Sequence, residues 1–366
     1  MYPYFKEWQK HVNEDTVVYF DADQIAYLCS AANEDKVIIA THKTSGNKKE
    51  FKNRTEFWGN KKKEIGGWLQ DLNTTRQVEG KSIFSKEDFD VEDVQRPREV
   101  KFCYSNIKLK IQFMLNHLGL TKYKCVLGGE NNFRLELEAP EQYKSNRADT
   151  LRPVQLKEAR EYLIQYHDAL VIDNVEADDF LAIKGYESVE EFKKTGIFPY
   201  LVVSFDKDQL GGQTFILNSY TEEGILKHPI PILINNSDST GGLGSLFLEK
   251  NKVKGYGFKF MMFQLLMGDS TDCIKPYQSF GVRFGETSAY QLIQPCTSHK
   301  EVLQSVVKQY KEWFPNGVSF TNWDGKEVNQ TAGQWMNTIF KMICMLTSEK
   351  DKTNIMSLIK KYGVEV

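Results

Sequence analysis

Acidic residues recur at five places in the sequence, each time directly after a short apolar segment. The clusters are Asp21 and Asp23; Glu130; Glu176, Asp178 and Asp179; Asp206 and Asp208; and Asp269 and Asp272. Each cluster alone has an ordinary explanation, because Asp and Glu cap helices and form turns. Carboxylates that converge on one cleft, however, repel one another and need cations to stay ionised. Oxygen ligands without neighbouring His or Cys favour Mg²⁺, with Mn²⁺ as a substitute.

Such a constellation suits phosphodiester hydrolysis. Two divalent cations, on the order of 4 Å apart, clamp a phosphate, lower the pKa of an attacking water and stabilise the leaving oxygen. A lesser alternative is a phosphatase of the haloacid-dehalogenase superfamily. Asp21-x-Asp23 and "GDSTD" resemble the first and the last sequence motif of that superfamily. That alternative leaves "EADD" and "DKD" without a role. It also requires an isolated catalytic Lys and a Ser or Thr at a strand end, for which the sequence has no persuasive candidates.

The elements that must position these acids follow an alternating pattern. The β-branched apolar runs "TVVYFDAD", "YKCVLGGE" and "YLVVSFDKD" predict buried parallel strands. Segments of helical period lie between them, at 154–170 and 177–196. This order predicts an α/β fold with a mostly parallel sheet flanked by helices. The acids then meet at the carboxyl ends of the strands, where such sheets bind ligands.

The sequence also predicts a division into domains. Residues 1–254 are expected to form the α/β domain, with an insertion at about 41–100. Residues 255–366 are expected to form a helical C-terminal domain, because "GFKFMMFQLLMGD" and later amphipathic segments have helical period.

The insertion contains a basic stretch whose role the sequence leaves open. Within 48–64, seven Lys or Arg residues accompany three Glu residues, with Phe51, Phe57 and Trp58 between them. Basic and aromatic side chains together could grip a single strand of nucleic acid. The alternative is a solvated hairpin and helix with a small core of their own.

A second basic segment, "EAPEQYKSNR", lies between two acid clusters. Lys144 and Arg147 are three residues apart, so on a helical turn both would face the same way and could hold a phosphate. Tyr143 is a candidate for stacking on a base. The ordinary reading of the same residues is an exposed entry to a helix.

Composition limits the possible classes of protein. The chain has 366 residues, 41% hydrophobic and 13% aromatic, as in folded globular proteins. Its 47 Lys and Arg residues against 49 Asp and Glu residues require any nucleic-acid contact to come from local clusters. Its six cysteines form no Cys-x-x-Cys pair, and no signal or membrane segment is evident, so an intracellular, cytoplasmic location is expected.

The order of the motifs resembles the 5′-to-3′ exonuclease and flap endonuclease family, particularly its bacteriophage members. The matching motifs are "YFDAD", "VLGGENNFRLELEAPEQYKSNR", "VEADD", "SFDKDQL" and "LMGDSTDCIKPYQSFGVRFGETSA", which span about 17–30 and 122–293. The resemblance implies a flap-endonuclease or PIN-like sheet with a helical arch above the site, here a short arch at about 140–170 within the α/β domain. It also implies Mg²⁺-dependent removal of 5′ ends, flaps and RNA primers in phage DNA replication or recombination, with two metal ions.

The resemblance assigns roles to the acids. Asp21, Glu176 and Asp178 correspond to ligands of the first metal, and Asp179 to a helper. The second metal is assigned to a further set of four: Asp206, Asp208, Asp269 and Asp272. The family usually has an Asp after the second strand, and Glu130 is expected to take its place with a longer side chain.

It also assigns the contacts to DNA. Lys144 and Arg147 match the catalytic basic pair at the base of the arch, and Arg134 and Tyr143 lie in the same motif. "GVRFGETSA" resembles a helix-hairpin-helix-type loop that holds the duplex backbone. The loop residues assigned to this contact are Gly281, Arg283, Gly285 and Thr287. Glu286 stands where the family usually has Lys.

The expected partners are DNA with 5′ ends or flaps and RNA–DNA hybrids, with a polymerase or single-strand-binding protein as further candidates and no membrane. A second hypothesis is a DNA-binding replication or recombination factor that keeps the fold without catalysis. The near-complete set of acids argues against it, because uncompensated carboxylates would repel DNA. The missing Asp after the second strand keeps it open.

Overall fold

A computed structural model describes residues 1–60, 62, 64–148, 150–204, 206–212, 215–216, 228–234, 242–352 and 354–365. Its first strands are β1 (Val17–Asp21), β2 (Glu34–His42), β3 (Lys48–Phe51), β4 (Phe89–Pro97), β5 (Tyr123–Asn132), β6 (Leu170–Asn174) and β7 (Tyr200–Val203). The later strands are β8 (Phe215–Ile216), β9 (Ile232–Leu233), β10 (Ser245–Glu249), β11 (Lys252–Tyr256), β12 (Val318–Thr321) and β13 (Glu327–Gln330).

Eleven α-helices are formed by the described residues. They are α1 (Ala22–Ala32), α2 (Arg54–Trp58), α3 (Trp68–Val78), α4 (Val100–Leu118), α5 (Leu156–His167), α6 (Ala177–Thr195), α7 (Gly257–Met267), α8 (Glu286–Ile293), α9 (His299–Trp313), α10 (Ala332–Ile343) and α11 (Ile355–Lys361). None of the helices in the described ranges is long and apolar enough to cross a membrane.

The main sheet has the strand order β6-β5-β1-β7-β8-β9. Neighbouring strands are parallel from β6 to β8, and only β9 runs antiparallel. Helix α6 covers one face, where Ala177 and Leu181 pack on Val126 and Val202. The predicted fold class, a mostly parallel sheet flanked by helices, is therefore confirmed.

The central strands form because their side chains are apolar on both faces. In β1, Val18 and Phe20 are fully buried, and in β7 Val202 is as well. The edge strand β6 has mostly exposed residues and a short, mixed sequence, "LVIDN". That lack of an apolar pattern is why the sequence did not predict it.

The chain forms two compact units. The first unit contains residues 1–24, 111–151 and 163–366, and the second contains 25–110 and 152–162. In the second unit, β3, β2 and β4 form an antiparallel sheet. Phe51 and Phe57 are buried in its small core. For these two residues the structure agrees with the small-core reading rather than with base stacking, while Lys61 and Lys63 of the basic stretch lie outside the described residues.

Within the first unit, the segment after residue 255 is mainly helical. Gly268 ends α7 with φ +71°, and an added Cβ there would lie 2.2 Å from the carbonyl oxygen of Ile274. Because this backbone conformation and this space both require Gly, the chain turns sharply into the Asp269–Asp272 segment. The "PNGVSFTNWDGKE" segment forms the β12–β13 hairpin between α9 and α10. The domain boundary near residue 254 stays a prediction.

Candidate active site

Three of the acid clusters lie at or just beyond the carboxyl ends of parallel strands of the main sheet. Asp21 is the last residue of β1, and Asp206 and Asp208 follow β7, which pairs with β1. Glu176 and Asp178 stand at the start of α6, directly after β6. This is the edge at which open α/β sheets bind ligands.

Three of these acids form a buried group of like charges: Asp21, Asp178 and Asp206. Burial, reinforced by Asp206, raises the pKa of Asp21 to about 7. Burial followed by repulsion from Asp21 and Asp206 raises the pKa of Asp178 well above its ordinary value. The pKa of Asp206 is also raised, chiefly by burial. The backbone N–H of Gln24 and the Ser204 hydroxyl donate to Asp21, each at 3.3 Å, and offset only part of this cost.

One oxygen of this group has no hydrogen-bond partner. Oδ1 of Asp178 is buried and accepts no hydrogen bond from the described part of the chain. A buried carboxylate oxygen without a donor costs free energy of unfolding unless something else binds it. This oxygen therefore identifies where a cation would be stabilising.

A second group joins Asp208, Asp269 and Lys207. Lys207 Nζ forms an ion pair with Asp269 and lies 3.6 Å from Asp208 Oδ1. Burial, followed by Asp206, raises the pKa of Asp208 to about 7. At Asp269 burial is outweighed by Lys207 and the pKa is lowered. Lys207 thus neutralises one of the two carboxylates more than the other.

A third group surrounds Glu176 and Asp272. Lys144 forms an ion pair with Glu176 and lies 3.7 Å from Asp272, and Arg147 also pairs with Asp272. The hydroxyl of Tyr143 donates to Glu176 at 3.0 Å and to Asp272 at 3.2 Å. The predicted convergence of Lys144 and Arg147 is what the structure shows, although on a short 3₁₀ turn at Ser145–Arg147 rather than an α-helix.

Asp179 forms a buried pair with Arg134, whose Nη1 also lies 3.5 Å from Glu176 Oε2. Its Oδ2 accepts from Arg134 Nη1 at 2.5 Å and from the backbone N–H of Glu176 at 3.1 Å. Its Oδ1 accepts from Arg134 Nη2 at 2.8 Å and from Leu346 N at 3.1 Å. Both side chains are fully buried. The pair anchors the N-terminus of α6, which presents Asp178 to the site.

The donors in this site fit hard divalent cations. Buried carboxylates with raised pKa values and an unpartnered oxygen on Asp178 favour a cation bound by oxygen. No three acidic, His or Cys side chains among the described residues are arranged to hold a metal ion in this conformation. Lys144, Arg147 and Lys207 instead neutralise Glu176, Asp272 and Asp269, so a metal would have to displace these cationic side chains from the carboxylates.

Three further predicted residues have the following surroundings in the structure. Tyr143 is buried with its hydroxyl on two carboxylates, so its ring is not available to stack on a base. Arg134 is fully buried and binds Asp179, so it does not present its charge to DNA. Glu130 is exposed. The sequence could not show the first two differences, because the partners are distant in the chain.

The predicted duplex-binding loop leads into α8. Gly281 has φ +71° and Gly285 directly precedes the helix, while Arg283 and Thr287 are exposed. Glu286, the first helical residue, accepts a hydrogen bond from the backbone N–H of Val253. Its carboxylate therefore ties the helix start to β11.

Sequence reasoning missed several side chains that shape the site. Lys207 lies inside the "DKD" motif, yet only the acids beside it were singled out. Gln264 donates to Asp208 at 2.5 Å and Ser204 donates to Asp21 at 3.3 Å. A polar residue in a mostly apolar helix, as Gln264 is in α7, was the available signal for the first of these.

No protein-family model matches the chain, and no curated protein matches it. Similar solved structures include the T5 D15 protein co-crystallised with metal ions, with 16% identity, 68% of this chain and 84% of that chain covered, and a TM-score of 0.39. A mutant of the T5 5′-exonuclease has 16% identity, covers 67% and 81%, and has a TM-score of 0.35. A bacteriophage T5 D15 flap endonuclease pseudo-enzyme–product complex with DNA and metal ions has 15% identity, covers 66% and 90%, and has a TM-score of 0.33. Likenesses this distant carry no argument about activity.

Proposed function

We propose that this chain is a divalent-metal-dependent phosphodiester hydrolase that cuts DNA at 5′ ends and flaps. The observation that carries the proposal is the buried group of Asp21, Asp178 and Asp206 at the carboxyl edge of the sheet. Such a group is costly without cations, and Asp178 keeps one buried oxygen without a hydrogen-bond partner among the described residues. A protein that needed these residues only for its fold would be more stable with neutral side chains.

Asp21 and Asp178 would hold one cation, with Glu176 beside them. Asp206 would join this first set rather than the second, because it lies close enough to Asp178 to raise its pKa. Asp208, Asp269 and Asp272 would contribute to a second cation. When bound there, Mg²⁺ or Mn²⁺ supplies Lewis-acid polarisation of a phosphate and a water of lowered pKa. The chain itself holds these carboxylates in place: Arg134 and Asp179 fix the start of α6, and Gln264 orients Asp208.

Lys144 and Arg147 would bind the scissile phosphate. In this structure they neutralise Glu176 and Asp272. Transfer of these two acids to cations would release both basic side chains toward a phosphate, where they can offset developing negative charge. Tyr143 keeps its hydroxyl on Glu176 and Asp272 and so holds the acids in position.

The preference for DNA 5′ ends and flaps rests on the order of the five sequence motifs. The exposed residues Arg283 and Thr287 at the start of α8 are available to a duplex backbone. RNA–DNA hybrids are further substrates to test, and a polymerase or a single-strand-binding protein is a candidate partner.

The test is cleavage of a 5′-flap DNA carrying a different label at each end. Purified protein is incubated with Mg²⁺, Mn²⁺, Ca²⁺ or a chelator. Short products from the 5′-labelled strand in Mg²⁺ and Mn²⁺, but not in Ca²⁺ or chelator, are expected. Short products that carry only the label of the other end would contradict cleavage from the 5′ end.

The alternatives give different results in the same experiment. Tight binding without cutting in every metal would support a non-catalytic DNA-binding factor. Release of phosphate from a small phosphomonoester, with intact DNA, would support the phosphatase alternative. The proposed function is overturned if neither the DNA nor the phosphomonoester is cleaved under any condition.

A further inference from the structure

Strand β5 contributes no buried acidic side chain to the site. The sequence there is Val126-Leu127-Gly128-Gly129-Glu130, and Glu130 is exposed. Two consecutive Gly residues at this point need a physical reason, because Gly weakens a strand. The reason lies in the side chains that fill the space beside each of them.

Gly128 is the position that faces the site. Asp21 is paired with Val126 in parallel register, so the two side chains point to the same face of the sheet. Residue 128 is two positions further along the strand and returns to that face. Val126 packs against Ala177, the first residue of α6, between Glu176 and Asp178.

The carboxylate of Asp23 occupies the space beside Gly128. An added Cβ at residue 128 would lie 3.2 Å from Asp23 Oδ2 and 4.0 Å from the backbone nitrogen of Ala177. The same Oδ2 accepts a hydrogen bond of 2.6 Å from the backbone N–H of Gly128. Asp23 thus reaches across from the start of α1 to the place where a side chain on β5 would begin.

Gly129 has a different neighbour on the other face. An added Cβ there would lie only 1.9 Å from Oδ1 of Asp173, which also accepts from the backbone N–H of Glu130 at 3.2 Å. Asp173 is exposed. The two glycines therefore admit one carboxylate on each face, and only Asp23 lies on the face that carries Asp21.

We infer that Asp23 is a metal-ligating carboxylate of the active site and supplies the acid that β5 lacks. This inference rests on the proposed function and replaces Glu130 in the predicted ligand set. The second observation that points to a cation nearby is the buried, unpartnered Oδ1 of Asp178, one residue beyond Ala177. The carboxylate of Asp23, on α1, then binds the cation that a side chain at residue 128 of β5 would otherwise bind.

Mn²⁺ binding to the purified full chain, measured by electron paramagnetic resonance without DNA, tests this. Asp23→Asn keeps an oxygen for the N–H of Gly128 but removes the charge. Loss of a group at a metal site typically weakens affinity by about 10–100-fold, and we expect Asp23→Asn and Asp23→Ala to do so. The matched control is Asp173→Asn, which removes the acid on the opposite face and should leave the affinity unchanged.

A swap variant tests the place as well as the residue. In Asp23→Ala the contact at 3.2 Å disappears, so Gly128→Asp can be added in the same chain, and Gly128 has no positive φ that would forbid it. We expect the double variant to recover at least tenfold of the lost Mn²⁺ affinity. No recovery would overturn the assignment of the Asp23 carboxylate to the place of a residue-128 side chain.

The outcomes separate this inference from the proposed function. If the wild-type chain binds no Mn²⁺, both are overturned. If the wild-type chain binds Mn²⁺ and Asp23→Asn binds it equally well, only the inference is overturned, because Asp23 then acts as a hydrogen-bond acceptor alone. Circular dichroism of each variant shows that the comparison is made between folded proteins.

Discussion

Asp206 carries a charge that is unfavourable in the metal-free protein and, on our proposal, needed for the reaction. Its carboxylate is buried near Asp21 and Asp178. We therefore expect Asp206→Asn to lower the cleavage rate by at least about 10²-fold, as loss of a metal ligand should. The same change should raise the melting temperature in chelator, because a buried repulsive charge is removed. DNA binding in Ca²⁺ is expected to stay close to that of the wild type.

The measurements are single-turnover cleavage in Mg²⁺ and thermal unfolding in chelator. A variant that is less active but also less stable would mean that Asp206 serves the fold. Retained cleavage would remove it from the set of ligands.

Stability should also depend on pH through Asp21 and Asp208. Burial raises the pKa of each from 3.8 to about 7 in the folded protein. Such a carboxyl binds more protons in the folded than in the unfolded chain, so the free energy of unfolding falls as pH rises from about 4 to about 7. The metal-free protein should thus melt at a lower temperature at pH 7.5 than at pH 5.5, by a few degrees.

Added Mg²⁺ should reverse this trend, because it binds the ionised carboxylates and gains affinity as pH rises. Thermal unfolding at both pH values, with chelator and with Mg²⁺, measures the effect. Asp21→Asn is the control and should flatten the pH dependence. An unchanged slope in that variant would show that other groups cause it.

At the scale of elements, the Arg134–Asp179 pair fixes α6 against the C-terminal helices. Arg134 donates to Asp179 and also to the carbonyl oxygens of Met342 and Cys344 at 3.2 and 2.8 Å, at the C-terminal end of α10. Arg134→Met leaves a buried carboxylate without its partner, and we expect a loss of about 3–5 kcal/mol in the free energy of unfolding.

Chemical denaturation measures that loss. The double variant Arg134→Met/Asp179→Leu removes both charges and should recover a large part of the stability, since two apolar side chains replace the pair. If Arg134→Met instead folds normally and only weakens DNA binding, the original assignment of Arg134 to nucleic-acid binding is correct.

How well each element could be predicted follows from where its partners lie in the sequence. The runs at 17–21, 123–128 and 200–203 are apolar and short, so they predicted β1, β5 and β7. The helical segments 154–170 and 177–196 correspond to α5 and α6 within a few residues. The pairing of Arg134 with Asp179 and the reach of Asp23 to Gly128 depend on tertiary contacts, which no local pattern contains.

At the scale of the whole molecule, the net charge of −2 gives no general attraction to DNA. Binding must then depend on local cations, and each phosphate contact adds about one unit to the slope of log K against log salt. Replacing Lys144 and Arg147 by Ala should reduce that slope by about 2 and slow cleavage, if both contact phosphates. The slope is obtained from DNA binding measured in Ca²⁺ at several salt concentrations.

Lys193 and Lys194 are a matched control for Lys144 and Arg147, because they lie at the opposite end of α6 from the acidic site. Lys193 and Lys194, in the last turn of α6, pair with Glu190 and Glu191 on the surface. At 1.5 Å per residue they lie roughly 25 Å from the helix start. Replacing both by Ala removes the same formal charge and should leave the salt slope unchanged. Equal slopes for the two double variants would mean that net charge, rather than the Lys144–Arg147 pair, controls binding; a reduction confined to Lys144 and Arg147 would place the phosphate contacts at the acidic site.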